Sequence, residues 1–147
     1  MGCLQMSDWQ LIGVPLLAVD KTLPHVLEWL SEIEASTARR MSLNKLICGL
    51  RESRMQLWLV IKGDGLPSAC VVTEIMDYTD VKLCNVVLAS GGGNARQWTP
   101  FVIEKIEGFA RENGCEGVEI FGRKGWLKLL PDYEVEHYVL KKEFKDG

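Results

Sequence analysis

The sequence predicts a single domain of the α/β (α+β) class, with a mixed sheet in which an antiparallel meander precedes a parallel pair of strands. Three observations predict this class. Three apolar runs of strand length follow one another with short links, which is typical of a meander. A glycine run, a long amphipathic segment and another apolar run come next, which is the pattern of a strand–loop–helix–strand unit. Of the 147 residues, 47% are hydrophobic and 25% charged, enough for one packed core over residues 1–147.

The first half of the chain predicts two helices after an irregular segment of about 20 residues. Thr22 can cap the first helix, in which apolar side chains recur at helical spacing from Leu23 to Ile33, and Pro24 is tolerated in its first turn. A second helix is predicted from about Ser42. Its apolar face consists of Leu43, Leu46, Ile47 and Leu50.

The middle of the chain predicts three consecutive strands. The first covers Gln56 to Lys62, a continuous apolar run that is typical of a buried strand. The second runs from Ala69 to Ile75, after a predicted hairpin turn at Gly63-Asp64-Gly65. The third runs from Lys82 to Ala89. Because the links are short, we expect the three strands to be antiparallel.

A glycine run then leads into the strongest predicted helix. The run is Ser90-Gly91-Gly92-Gly93-Asn94, and the helix covers about Arg96 to Asn113 with one apolar face. A strand from Cys115 to Phe121 follows, and a crossover of this kind lays the two flanking strands parallel.

The last part of the chain predicts a short helix and two strand pieces. The helix covers roughly Lys124 to Leu130, and the strand pieces lie near Glu134 and from His137 to Phe144. An exposed apolar final strand can pair with a second copy of the chain, so the sequence allows a homodimer.

The composition argues against several classes of function. A net charge of −3 gives no basic surface for nucleic acid, and no apolar run reaches the roughly 18 residues of a membrane-spanning helix. Five scattered cysteines without a CxxC pair indicate reduced thiols rather than a disulfide framework or a zinc site. With two histidines, a histidine-rich metal centre is not expected either. We therefore expect a cytoplasmic protein that binds no metal, nucleic acid or membrane.

From about residue 20, the order of elements resembles that of the GNAT acyltransferase superfamily. Three segments are in addition similar to small GNAT-like proteins encoded by tailed bacteriophages, whose genes lie among virion and assembly genes. These segments are Gln56-Leu57-Trp58-Leu59-Val60, Val72-Thr73-Glu74-Ile75 and Val118-Glu119-Ile120-Phe121-Gly122-Arg123-Lys124-Gly125-Trp126.

The two resemblances imply different functions. The superfamily implies an N-acetyltransferase, or another acyl-CoA-dependent N-acyltransferase, with acetyl-CoA or another acyl-CoA as cofactor. Its acceptor would be an amine-bearing small molecule or protein. The phage proteins imply the alternative, a catalytically inactive protein that contacts phage structural proteins during virion assembly or within the virion. Such a protein would act in the host cytoplasm or in the virion.

The resemblance to the superfamily also implies where a cofactor binds. In that superfamily the strand before the glycine loop separates from the next parallel strand, and acyl-CoA lies in the V-shaped gap with its pyrophosphate on the loop. Unpaired amides at a helix N-terminus favour an anion on physical grounds as well. The implied cofactor residues are Val86, Val87, Leu88, Ala89, Gly91, Gly92, Gly93, Asn94 and Arg96.

The glycine run departs from the family pattern Q/R-x-x-G-x-G/A. Leu88 stands where the family has a basic or amide residue, although Arg96 lies nearby and can supply charge to a phosphate. The alternative is that the three glycines only turn the chain between strand and helix. The patterns that open a Rossmann site or a P-loop are absent.

Two residues are candidates for acid–base chemistry. Glu74 lies in an apolar strand, where burial raises the pKa of a carboxyl and suits it to accept the proton of an amine; the alternative is that strand alternation points it to solvent. The family often has a tyrosine acid on the short helix, and this chain has none there. Tyr138 is the freer candidate, because Tyr133 occupies the place of a packing aromatic. Cys84 has no histidine in its sequence context, which favours packing over nucleophilic catalysis.

Overall fold

The structure, a computed structural model, describes residues 8–63, 65–122 and 125–145. A 3₁₀ turn at Leu16–Ala18 precedes the first helix. The strands and helices are β1 (Trp9–Gly13), α1 (Val19–Leu30), α2 (Ile33–Ser36), α3 (Leu43–Arg51), β2 (Met55–Lys62), β3 (Pro67–Asp77), β4 (Lys82–Gly91), α4 (Ala95–Glu112), β5 (Gly117–Ile120) and α5 (Gly125–Leu129).

The five strands form one sheet in chain order, from β1 to β5. The pairs from β1 to β4 are antiparallel, and β4 pairs with β5 in parallel. The parallel register begins at Leu83 opposite Gly117 and ends at Val86 opposite Ile120, while β4 continues to Gly91. The predicted fold class, a meander followed by a splayed parallel pair, is confirmed.

An apolar core covers each face of the sheet. Successive residues of β3 belong to different cores, as strand alternation requires: Val72 packs with α1 and α3, and Val71 packs with α4. Burial of each such side chain contributes about 1.5–3 kcal/mol relative to exposure. The α1/α3 core is centred on Val26, Leu30, Ile33, Leu46, Leu50 and Leu57, and the α4 core on Val60, Cys84, Trp98, Val102 and Ile106.

The N-terminal predictions need two corrections. The segment predicted to be irregular contains β1, whose Trp9–Gly13 pairs with β2. The first helix begins at Val19 rather than after Thr22, and the Thr22 hydroxyl donates a hydrogen bond to the Ala18 carbonyl at 2.8 Å within the helix. The start predicted for the next helix, at about Ser42, is confirmed: Ser42 precedes α3 as its N-cap, and its Oγ accepts from the Lys45 amide at 3.1 Å.

The C-terminal prediction is wrong. Residues 131–145 contain no strand, so the pieces predicted near Glu134 and from His137 to Phe144 are absent. Apolar side chains of this tail fall on both strand faces: Val135 and Val139 share one parity, and Tyr138, Leu140 and Phe144 the other. A strand of that pattern has no single apolar face to bury, and these five side chains are exposed.

Two further points concern the described residues. The predicted turn at Gly63-Asp64-Gly65 includes Asp64, which lies outside them; Gly63 has a φ of +61°. Among the helices that the structure describes, none is long and apolar enough to cross a membrane.

Candidate functional site

A cavity of about 320 Å³ opens where β4 and β5 separate. We call it the strand cavity. One wall is the end of β4, so the four strand residues implied by the resemblance all line it: Val86, Val87, Leu88 and Ala89. The opposite wall is formed by Ile120, Phe121 and Gly122, and the remaining sides by Ser36, Trp126 and Leu129. This lining can hold an extended, largely apolar ligand between two strands.

A second cavity of about 240 Å³ lies at the glycine run, and we call it the loop cavity. It shares Ala89, Trp126 and Leu129 with the strand cavity, so the two adjoin. Its own lining comes from the end of β4 and the first turns of α4, and comprises Ser90, Gly91, Gly93, Ala95, Trp98 and Thr99, together with Glu32. Thr99 is buried, and its hydroxyl oxygen finds no hydrogen-bond partner among the described residues.

The glycines of the run differ in what the backbone requires of them. A Cβ on Gly91 would meet the Ser68 carbonyl oxygen at 2.6 Å, and Gly93 has a φ of +120°, so both positions need glycine for local geometry. A Cβ on Gly92 would have only the Ser68 oxygen near it, at 3.9 Å. However, the Gly92 amide already donates to Ser68 O at 3.0 Å, which removes it from the donors open to a ligand.

The N-terminus of α4 faces this region without a side-chain cap. Asn94, the residue before the helix, has a left-handed φ of 60°, and its side chain makes no capping hydrogen bond. Its carbonyl accepts from the Gln97 amide at 2.9 Å, so the helix ladder starts at that residue. The amides of Ala95 and Arg96 precede this bond and have no intrahelical acceptor, and the Arg96 side chain is exposed beside them. This end of α4 can therefore attract an anion.

Glu32 brings a negative charge to the loop cavity. The Ser90 hydroxyl, which is 5% exposed, donates to Glu32 Oε1 at 2.9 Å. Glu32 stands between α1 and α2, 58 residues from Ser90 along the chain. Glu32 was not among the predicted site residues, because no local sequence pattern indicates a contact between residues so far apart in the chain.

Glu74 lies one residue pair before the point of separation. It is opposite Asn85 on β4, and Asn85 precedes Val86, whose pair with Ile120 is the last between β4 and β5. The Glu74 side chain is half-buried, and burial raises its pKa, while the charge of Arg54 opposes that rise. Glu74 is therefore half-buried on β3, separated by β4 from the gap and level with its start, and it lines neither cavity.

A polar row crosses the sheet at this level. Glu74, Asn85 and Glu119 are in register on three neighbouring strands, so their side chains point to the same face. The Asn85 Oδ1 atom is buried and has no partner within the described chain. Glu119 accepts a hydrogen bond of 2.7 Å from the Tyr78 hydroxyl. The alternation of β5 was the only sequence signal for Glu119.

The structure does not bring Tyr138 to Glu74. Tyr138 lies on the strandless tail, 77% exposed, and no hydrogen bond of the described residues ties it to either cavity. Tyr133 packs against the α4 core, and its hydroxyl donates to Glu107 at 2.9 Å. Cys84 is fully buried, and burial raises the pKa of its thiol to about 12, so it is protonated at neutral pH.

The chain is similar to solved acetyltransferase structures at low sequence identity. An aminoglycoside acetyltransferase from an uncultured soil metagenomic sample matches at a TM-score of 0.67 and 12% identity, over 94% of this chain and 97% of that one. A GNAT family acetyltransferase of Staphylococcus aureus matches at 0.61 and 13%, over 95% and 100%. A predicted acetyltransferase of Clostridium acetobutylicum, solved with acetyl-CoA, matches at 0.62 and 8%, over 93% and 96%. No protein-family model and no curated protein sequence matches.

These likenesses show the fold. The mixed five-stranded sheet with its parallel β4–β5 pair is GNAT-like over nearly the whole chain. At identities of 8–13%, the likeness does not show that this chain shares the activities of the three proteins.

Proposed function

We propose that this chain is an acyl-CoA-dependent N-acyltransferase of the GNAT type, or a descendant that still binds CoA. The observation that carries the proposal is the end of β4–β5 pairing at Val86 and Ile120, with the strand cavity beyond it. On its other side β4 stays paired with β3, up to Gly91. The backbone groups of residues 87–89 that face the gap are thus free of β5, and backbone groups without a partner favour a ligand that pairs with them.

The residues present fit most of a CoA thioester. The apolar wall from Val86 to Ala89 suits the pantetheine arm, while the first-turn amides of α4 and Arg96 suit a phosphate. When bound, acyl-CoA supplies an activated thioester carbonyl to an amine acceptor. The carboxylate of Glu32 is the one described group of the loop cavity that opposes a phosphate there.

Glu74 is the proposed base. It lies opposite Asn85 on β4, level with the start of the gap, and its raised pKa makes it a better proton acceptor than a fully solvated carboxylate. The buried Asn85 oxygen next to it can accept a hydrogen bond from the acceptor's ammonium group. An amine-bearing small molecule or protein is therefore the proposed acceptor.

Tyr138 is the proposed acid, on sequence grounds. Its side chain is 77% exposed on the tail, so it can protonate a leaving thiolate only if the tail folds over the strand cavity.

The first experiment is thermal unfolding with and without acetyl-CoA. A ligand at about 100 times its dissociation constant adds roughly 2.7 kcal/mol to the free energy of unfolding, which is a readable shift in Tm. Gly92→Leu should abolish the shift, because a side chain on the glycine run keeps a phosphate away from the backbone. The fold should be retained, since the Cβ of this residue meets only the Ser68 oxygen, at 3.9 Å. Gly108→Leu is the matched control, since a Cβ at this α4 position meets nothing within 4 Å and the position lies away from both cavities.

The outcomes separate two functions. A shift in the wild type and in Gly108→Leu, lost in Gly92→Leu, supports the cofactor site. No shift with acetyl-CoA, longer acyl-CoAs or free CoA contradicts the transferase proposal. It would favour the second candidate, a non-catalytic protein that uses the same fold to bind a protein partner. The Glu32 carboxylate and the exposed Tyr138 favour this candidate.

Three finer points stay predictions. The comparisons give no support to a phage origin or a role in virion assembly. The fold identifies no partner chain and no cell compartment. The final strand through which a homodimer was predicted to form is absent from the described residues of the tail.

A further inference from the structure

The phosphate end of the proposed site contains a fixed negative charge. Glu32 lines the loop cavity, next to the glycine run and the first turn of α4. Its Oε1 atom accepts the hydrogen bond from Ser90 Oγ at 2.9 Å. Because Ser90 is only 5% exposed and belongs to β4, it holds this carboxylate at a defined place rather than on a freely moving side chain.

A carboxylate at this place acts against a diphosphate. Two negative groups a few ångströms apart repel, and the repulsion is stronger beside a protein wall than in bulk water. The donors that would compensate are reduced by one, since the Gly92 amide is already bonded to Ser68 O at 3.0 Å. Arg96 is the nearby cation, and both Arg96 and Glu32 are exposed, so solvent weakens the effect of each charge. Glu32 differs from Arg96 because the Ser90 hydroxyl fixes its carboxylate at 2.9 Å.

The strand cavity carries no such charge. Its walls along Val86 to Ala89 and Ile120 are apolar, so they suit the uncharged arm of a thioester carrier whatever stands at the other end. The two adjoining cavities therefore differ in the part of CoA that they favour. The strand cavity suits the pantetheine arm, and the loop cavity disfavours the diphosphate that follows this arm in CoA.

We propose that Glu32, positioned by Ser90, is a specificity-determining residue that selects against carriers with a diphosphate at the loop cavity. Among thioester carriers that fill the strand cavity, Glu32 therefore lowers the affinity for CoA relative to that for a pantetheine derivative without the diphosphate. This inference rests on the proposed function, because it assumes that the strand cavity holds a thioester carrier.

The test compares two ligands on one set of variants by isothermal titration calorimetry. The ligands are CoA and pantetheine, which share the arm and differ in the phosphate-bearing part. Glu32→Gln removes the charge and keeps an oxygen for the Ser90 hydroxyl, and Glu32→Asp keeps the charge. Glu34→Gln is the matched control, because it makes the same charge change on the neighbouring exposed position of α2.

We expect Glu32→Gln to tighten CoA binding about fivefold at low salt, and to leave pantetheine binding within about twofold of the wild type. The gain should shrink at about 1 M salt, where the Debye length is near 3 Å. Glu34→Gln should leave both affinities unchanged, and Glu32→Asp should stay close to the wild type.

Each other outcome overturns a defined statement. If pantetheine and CoA bind the wild type equally well and Glu32→Gln changes neither, the charge selection is wrong while the cofactor site stands. If Glu32→Gln tightens both ligands alike, its effect is structural and the specificity role is wrong. If neither ligand binds the wild type or Glu32→Gln, the inference and the proposed function fail together.

Discussion

Gly91 on β4 lies against Ala69 on β3 so closely that no side chain fits between them. A Cβ on Gly91 would collide with the Ala69 side chain and approach the Ser68 carbonyl oxygen to 2.6 Å. Both obstacles belong to a paired strand, and neither is the flexible end of a long side chain. The first glycine of the run is therefore required by strand packing, whatever the loop binds.

We expect Gly91→Ala to lower the free energy of unfolding by about 3 kcal/mol, because overpacking against backbone forces the strands apart. Gly92→Ala should change it by less than about 1 kcal/mol, since its Cβ would meet only one atom at 3.9 Å. Urea unfolding of both variants measures the difference. Equal stabilities for the two variants would contradict the close approach of β3 and β4.

The pH dependence of acyl transfer should report the protonation of Glu74. A base must be deprotonated, and burial raises the pKa of this carboxyl above its ordinary value near 4.5. The rate constant kcat/KM should therefore fall as the pH drops through that raised pKa. Glu74→Gln should lower kcat/KM by about 10²–10⁴-fold and remove the acid limb. A limb that survives in Glu74→Gln would assign the base elsewhere.

Arg54 should set the position of that limb. Its charge lowers the pKa of Glu74, so Arg54→Gln should move the limb to higher pH. Arg51→Gln is the control, because Arg51 is paired with Asp20 at 2.9 Å and does not act on Glu74. A profile of kcat/KM against pH for the three proteins decides the point, and a shift to lower pH in Arg54→Gln would contradict the assignment.

The raised pKa of Glu74 also determines how the stability of the fold changes with pH. Because the folded state binds the Glu74 proton more tightly than the unfolded chain, this proton contributes to the free energy of unfolding below the ordinary pKa. This contribution is lost as the pH rises through the folded pKa. Glu74→Gln should therefore raise Tm slightly at neutral pH and lose part of the pH dependence. The side chain is half-buried, so solvent screening keeps this effect small.

The elements with a local cause were predictable from the sequence. The cap of α3 depends on Ser42 and an amide three residues later, and the strands β2 to β4 follow from continuous apolar runs. By contrast, β1 is a strand because Trp9–Gly13 finds β2 as a partner, which a five-residue segment does not show by itself. The tail failed for the opposite reason, since its apolar residues have no single face and no partner strand.

The residues of the candidate site also divide into those that the local sequence predicts and those that only the fold brings together. The wall from Val86 to Ala89 could be placed because it directly precedes the glycine run in the sequence. The contact between Glu32 and Ser90 could not, because only the packing of α1 and α2 on the sheet brings together residues 58 positions apart. Tyr138 was chosen because the short helix has no tyrosine and Tyr133 takes the place of a packing aromatic, and the strand predicted around Tyr138 is absent.

Thiol labelling should distinguish the cysteines by burial. Cys70 and Cys84 are fully buried, and burial raises the pKa of each thiol to about 12, so neither supplies a thiolate in the native state. Cys48 is exposed and Cys115 is intermediate. Among these four cysteines, iodoacetamide followed by peptide mass spectrometry should modify Cys48 first, and Cys70 and Cys84 only after unfolding in urea. Rapid native labelling of Cys84 would reopen the nucleophile interpretation.

Removal of the tail after Tyr133 should leave the fold almost unchanged and decide the role of Tyr138. The tail's apolar side chains are exposed, and its ion pair between Arg39 and Glu143, at 3.7 Å, joins side chains that are 75% and 54% exposed. Such a pair contributes about 0–1 kcal/mol, so the free energy of unfolding should fall by no more than about 1 kcal/mol. The truncation keeps Tyr133, whose hydroxyl is bonded to Glu107 on α4.

Urea unfolding measures that change, and a loss of several kcal/mol would contradict the exposed position of the tail. Light scattering on the same two samples tests whether the tail holds two copies together.

For catalysis, the truncated protein should lose acyl transfer if Tyr138 is the acid, and the full-length Tyr138→Phe variant should lose it to the same extent. Because Tyr138→Phe removes only the hydroxyl, equal transfer by the wild type and this variant would exclude Tyr138 as the acid.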